Sequence, residues 1–193
     1  MMTMGVFAVQ GLVFFPSTTL PLNVFEPRYL SLIEDSLRDS KPILLSPKKP
    51  APGDIAGFGE PKLLHRREDG TLLIAVMGRG KARVLSVDDS KAYQQVECEP
   101  IEVNSRIEVA SLSLYSQMRT DFESWIKTQV EEPAQLQWVQ EMLSQPQAVL
   151  DHMITYRVQD QEHKQGLMNL SDINEQLSYL ATLPDLSSPS QVH

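Results

Sequence analysis

The pattern that most constrains this chain is a change of texture about halfway along it. Eight of its nine glycines fall before residue 81, scattered among short apolar runs that proline also interrupts. From about Arg106 onward, apolar residues recur every three or four positions and glycine almost vanishes. Short runs between turn residues read as strands, and recurrence at three and four reads as helix. The pattern predicts an α+β chain: a strand-rich part at about 1–103 with one inserted helix, a helical bundle at about 104–183, and a Ser- and Pro-rich tail at 184–193 expected to be flexible.

In the first part, the apolar opening from Met4 to Phe15 reads as a first strand. No basic residue precedes it, so it does not resemble a secretory core segment. Leu20-Pro-Leu-Asn-Val24 is extended and runs into Phe25-Glu-Pro-Arg-Tyr29, where Pro27 fits the first helical position and Leu30, Ile33 and Leu37 follow at helical spacing. Pro61–Arg67 and Thr71–Met77 flank Glu68-Asp69-Gly70, a hairpin signal. Lys81–Val87 and Tyr93–Glu99 complete about six strands, the pattern of a small closed or half-closed sheet. Ser46-Pro-Lys-Lys-Pro-Ala-Pro-Gly53 is too rich in proline for helix or central strand and reads as a surface loop.

In the second part, Tyr115, Met118, Phe122, Trp125 and Ile126 form one stripe, and Leu136, Val139 and Leu143 a shorter one. Pro146 opens a helix carrying Val149, Leu150, Met153 and Ile154. Ile173, Leu177, Leu180 and Leu183 mark a last helix, with Ser171 as its expected cap. Trp138 and Met142 lie off their helix's inward stripe, so they are the candidate apolar surface for another polypeptide.

Charge and chemistry exclude several functions. Residues 1–96 carry 12 Lys+Arg against 10 Asp+Glu, and residues 97–193 carry 5 against 15. So acidic a second half does not suit wrapping phosphates. Lys41, Lys48, Lys49, Lys62, Arg66 and Arg67 crowd the region 41–67 and are the alternative, an RNA face, although only Phe58 interleaves with them as a stacking platform. The lone Cys98 precludes an intramolecular disulfide and points to a cytoplasmic protein. His65, His152, His163 and His193 show no metal-ligand spacing, no Gly-x-x-x-x-Gly-Lys-Ser/Thr run is present, and no serine sits in a nucleophile elbow. No metal, cofactor or catalytic residue is expected, nor any membrane span. Glu26 and Arg28 suit a helix cap and a salt bridge better than an acid catalyst, because a helix N-terminus keeps a carboxylate ionised. Phe25 and Tyr29 are expected to anchor the strand-to-helix joint in the core.

Phe15-Pro16, Leu20-Pro-Leu22, Phe25-Glu-Pro-Arg-Tyr29, Gly57-Phe-Gly59, Gly78-Arg-Gly-Lys-Ala-Arg-Val84, Glu162-His-Lys-Gln165 and Asp172 with Leu177 occur in the order of one family. Over nearly its whole length the chain resembles the N-terminal substrate-binding domain of Lon proteases, without their ATPase and peptidase domains. Ala8 departs from that pattern, since a proline is common there. The resemblance implies a PUA-like β-barrel followed by a helical bundle. It also implies a non-catalytic module that recognises unfolded or extended polypeptide, or another protein partner, with weak self-association as a secondary expectation.

Overall fold

The computed structural model describes residues 1–184 and 186; the expected flexible tail at 184–193 lies almost wholly outside the described residues. The chain divides into two compact units, Met1–Ile101 and Glu102–His193.

The first unit contains β1 (Met2–Ala8), β2 (Thr19–Val24), α1 (Pro27–Asp39), β3 (Ile43–Ser46), β4 (Ile55–Arg66), β5 (Leu72–Asp88) and β6 (Gln95–Pro100). Strand order is β2-β5-β4-β3-β1-β6, and β6 returns to pair with β5, so β1, β3, β4, β5 and β6 close into a barrel. β1 and β3 run parallel, and the connection between them carries β2 and α1. The remaining pairs are antiparallel. Closure removes the sheet edges from five strands. β2 pairs with β5 alone among the named strands and carries Pro21 at its middle, opposite Ala75. Proline is tolerated on an edge strand where its missing N–H would have faced away from the ladder.

Two apolar layers follow from the alternation of side chains across the sheet. Met4, Val6, Leu44, Ala56, Ala82, Val84, Val96 and Cys98 form one. Phe7, Ile43, Leu45, Leu72, Ile74 and Val76 form the other with Tyr29, Leu32 and Ile33 of α1. Both faces of β1 and β3 are thus buried. Two glycines serve these close approaches. A Cβ on Gly57 would run into the Phe14 carbonyl oxygen, and one on Gly78 into that of Pro16.

The hairpin between β4 and β5 closes with Gly70 N–H donating to Arg67 O at 3.0 Å and Gly70 at φ 84°. The Asp69 carboxylate accepts from the Thr71 N–H and hydroxyl at 2.9 and 2.7 Å. A longer loop with one left-handed glycine takes the place of a two-residue turn.

In the second unit, a 3-10 turn at Val109–Ser111 leads into α2 (Leu112–Thr128), α3 (Pro133–Met142), α4 (Pro146–Arg157), α5 (Gln161–Asn169) and α6 (Ile173–Ala181). Proline opens α1, α3 and α4, where its missing N–H is one the helix could not have satisfied. Phe122, Val139, Leu143, Leu150, Ile154, Leu167 and Leu177 are buried. The cap of α6 is Asp172 rather than Ser171. Its carboxylate accepts from Asn174 N–H at 2.7 Å and from Asn104 Nδ2 at 2.7 Å. These bonds, Asn104's first, hold its carboxyl below the ordinary carboxylate range.

The α+β class agrees with the sequence reading, but three local expectations are corrected. Thr71–Met77 and Lys81–Val87 are parts of the single 17-residue β5, and a further barrel strand, β3, comes from Ile43–Ser46, which lacks alternation. Glu26 occupies the cap position of α1 without capping it; its carboxylate meets Arg28 Nη2 at 2.9 Å instead. Phe25 is 67% exposed and anchors nothing. Leu20, Leu22 and Val24 take the inward positions of β2, so the residue after Val24 falls on the outward side.

Candidate functional site

α3 begins at Pro133 and buries Val139 and Met142. One step along a helix turns a side chain by about 100°, so Trp138 leaves the core face that Val139 occupies. It is 44% exposed, and Leu136 on the first turn is 43% exposed. Met142 is only 5% exposed, which withdraws it from the candidate surface; Leu136 is exposed too, but two residues before Trp138 it points about 200° away around the helix.

Trp138 is one end of a row of aromatic rings built from three helices. Its indole meets His152 of α4 edge-on, with centroids 6.0 Å apart. His152 lies 6.2 Å from Tyr156, one turn farther along α4. Tyr156 lies 6.3 Å from Trp125 of α2, and Trp125 stacks on Phe122 at 5.8 Å. The Arg157 guanidinium sits 4.9 Å from the Trp125 ring centroid. Trp138 and Tyr156 are each more than 40% exposed, while His152 and Phe122 are buried. The row therefore has one edge in the core and one in solvent.

His152 ties the row together. Its Nδ1–H donates to Ala148 O at 2.7 Å, leaving Nε2 as the acceptor of the neutral ring. Burial pulls its pKa below the ordinary 6.5, against the opposing influence of the Ala148 carbonyl and the Asp151 charge. The unfolded chain binds this proton near pH 6.5 and the folded chain only at lower pH, so stability falls as pH drops below about 6.5. Urea unfolding at pH 7.5 and pH 5.5 should show that loss, and His152→Gln should reduce it. Asp35 and Asp172, whose carboxyls are held low, titrate below this window.

The other sequence candidates fall elsewhere. Lys48 pairs with Asp54 at 3.5 Å and Lys49 with Asp89 at 3.2 Å, in the loop that enters β4. Arg66 pairs with Glu34 at 3.0 Å, and Arg67 Nη2 donates to Asn23 Oδ1 at 3.0 Å, at the far end of that 12-residue strand. The structure does not bring the four together as one surface. Tyr29 is buried, stacks on Phe7 at 4.2 Å and donates its hydroxyl to Ala8 O at 3.0 Å. Pro27 stands at the start of α1 as expected, and Arg28 Cζ lies 4.7 Å from the Tyr29 ring centroid. Cys98 is fully buried, and burial pushes its thiol up to about 11, the reverse of an activated nucleophile. Among the described residues no group of three His, Cys, Asp or Glu side chains is placed to hold a metal ion. No helix among them is long and apolar enough to cross a membrane.

The family model of the ATP-dependent protease La (LON) substrate-binding domain matches residues 3–183. The chain belongs to this family. It is 24% identical to the Lon protease of Haemophilus influenzae over 187 residues, which cover 92% of this chain and 23% of that protein. It is 23% identical to that of Escherichia coli K12, over 92% of this chain and 24% of the protein. The chain thus spans about a quarter of the length of these Lon proteases. Among solved structures, the N-terminal domain of a Mycobacterium avium complex Lon protease superposes with a TM-score of 0.73 at 16% identity, covering 96% of this chain and 98% of that one. A Lon N-terminal domain protein from Xanthomonas campestris gives 0.69 at 18% identity, covering 95% and 100%. These Lon domains share the fold of this chain.

Sequence reasoning placed Trp138 on the surface and overlooked Tyr156. The i, i+4 spacing of His152 and Tyr156 was the available signal, since it stacks two rings on one helix face. Spacing puts Trp125 on the inward stripe of α2, whereas it stands only partly buried at the solvent edge of the row.

Proposed function

We propose that this chain is a non-catalytic module that recognises unfolded or extended polypeptide through the aromatic row of α2, α3 and α4. The observation that carries this reading is the pair of half-exposed rings, Trp138 and Tyr156, held by a buried histidine between them. Large rings with few rotatable bonds bury much apolar area at little entropic cost, and they tolerate varied sequence. Membership of the Lon substrate-binding family supports a protein ligand. Handing a bound chain to a separate protease would be the corresponding role. The basic residues at the two ends of β4 offer no continuous cationic groove, so nothing in the geometry favours RNA over polypeptide.

Both tryptophans of the chain, Trp125 and Trp138, belong to the row, so their fluorescence reports directly on it. Titration with a reduced, unfolded protein should perturb the emission with a Kd of tens of micromolar, about −6 kcal/mol. Trp138→Ala should weaken binding roughly five- to thirty-fold, the usual cost of losing an interface aromatic worth about 1–2 kcal/mol. Its stability should change only by about the 0.5–1.5 kcal/mol of an aromatic pair plus its half-buried area. A parent chain that ignores unfolded protein at these concentrations would refute the reading, as would a Trp138→Ala variant that binds like the parent.

A further inference from the structure

A cavity of about 340 Å³ in the first unit carries a charge pattern that polypeptide recognition does not use. Arg28 from the first turn of α1, Lys49 from the loop after β3 and Lys91 from the turn before β6 all line it, with Asp89, Tyr29 and Tyr93. Asp89 is already engaged. Gln94 Nε2 donates to it at 2.6 Å and Lys49 at 3.2 Å, and these bonds hold its carboxyl below the usual range. Glu26, which pairs with Arg28, is not part of the lining. Lys91 makes no salt bridge within 4 Å among the described residues and feels the Asp35 carboxylate only across the Tyr93 hydroxyl; its ammonium lies 5.5 Å from the Tyr93 centroid and donates to that hydroxyl at 3.5 Å. Tyr93 in turn donates to Asp35 at 2.7 Å, so its oxygen faces Lys91 as an acceptor and stays fixed.

Three cations and one carboxylate leave the lining with two net positive charges, within a chain whose net charge is −8. We propose that this cavity binds a phosphate dianion, either inorganic phosphate or the end group of a small phosphate monoester. A monoester carries close to two negative charges at neutral pH and offers three strong acceptor oxygens. Arginine and lysine supply the matching donors, and such charge-assisted bonds are the strong ones. The ion pairs Arg28–Glu26 and Lys49–Asp89 are solvent-exposed on both sides and hold weakly, so re-aiming either cation toward a ligand costs little. The cavity falls at the small end of ligand sites, about 300–1,000 Å³, which leaves room for a short organic tail beside the Tyr29 and Tyr93 rings.

Calorimetric titration of the full chain with inorganic phosphate and with glycerol 3-phosphate tests this. Saturable one-to-one binding that weakens with added salt is expected. Lys91→Gln should weaken it at least about tenfold and Lys91→Arg should largely restore it, since both keep an exposed side chain and differ in charge. Arg66→Gln combined with Arg67→Gln removes twice the charge from elsewhere in the same unit and should change the affinity less than about twofold. If glycerol 3-phosphate binds tighter than inorganic phosphate, the tail is held too; equal affinity assigns the site to the phosphate alone. No saturable binding of either probe at about 10 mM, weaker than any specific dianion site would give, overturns the proposal. So does an equal loss in the Arg66 and Arg67 variant, or tight binding of single-stranded RNA when neither small probe binds.

Discussion

Truncating Tyr29 to alanine is expected to cost about 3–5 kcal/mol, whereas Phe25→Ala should change stability by no more than about 0.5 kcal/mol. The two aromatics stand four residues apart at the same joint. Tyr29 is 7% exposed, stacks on Phe7 and bonds the Ala8 carbonyl, so its removal leaves a cavity and an unpaired acceptor between α1 and β1. Phe25 already faces water, and its deletion removes little buried area. Urea unfolding followed by far-UV circular dichroism is the appropriate measurement, because both tryptophans belong to the other unit and their fluorescence would not report on this one. Equal losses for the two variants would mean that Phe25 packs against something after all. A Tyr29→Ala variant as stable as the parent would contradict the stacked geometry.

Gly57→Ala is expected to destabilise the first unit by about 3 kcal/mol, the upper part of the range for overpacking. The added methyl meets the Phe14 backbone carbonyl rather than the mobile end of a side chain. Relief therefore requires the segment before β2 to move away from β4. Gly53→Ala makes a useful comparison, since nothing lies within 4 Å of its Cβ position and its penalty comes from φ 95° alone. Melting temperatures of the two variants should separate these causes. If Gly57→Ala melts like the parent, the close approach of Phe14 to β4 is not a rigid feature of the fold.

Much of the architecture was legible because local chemistry and tertiary demand agree. Pro27, Pro133 and Pro146 sit where helices begin, and the stripes of Phe122 with Ile126 and of Val149 with Leu150, Met153 and Ile154 face inward as their spacing requires. The failures have physical causes. Ile43–Ser46 shows no alternation because both of its faces are buried, so a short apolar run gave no period to read. The two halves of β5 looked separate because Gly78 and Gly80 interrupt them, yet glycine there admits the Pro16 carbonyl and the Phe58 ring. A stripe begun at Leu136 puts Met142 outside, but Leu136 lies on the first turn and is half exposed. Measured from Val139, Met142 is three residues on and shares the buried face. The aromatic row was only partly legible, since Trp138, His152 and Trp125 come from three helices whose packing no spacing within one helix encodes. The phosphate cavity was not legible at all. Lys49 was visible in its basic loop, but its partnership with Arg28 and Lys91 depends on barrel closure.

On the polypeptide-binding reading proposed above, Pro21 on β2 has a bearing on how extended chains would be met. The barrel consumes the hydrogen-bonding edges of its other five strands, and the remaining edge lacks a donor at its centre. A polypeptide bound as proposed would rest on apolar side chains, while the β2 edge offers it a ladder interrupted at Pro21. Contact of that kind is indifferent to register, easily reversed, and leaves the visitor's backbone amides in water. A protein that must meet aggregation-prone segments without becoming the first layer of an aggregate would need this separation of stickiness from templating.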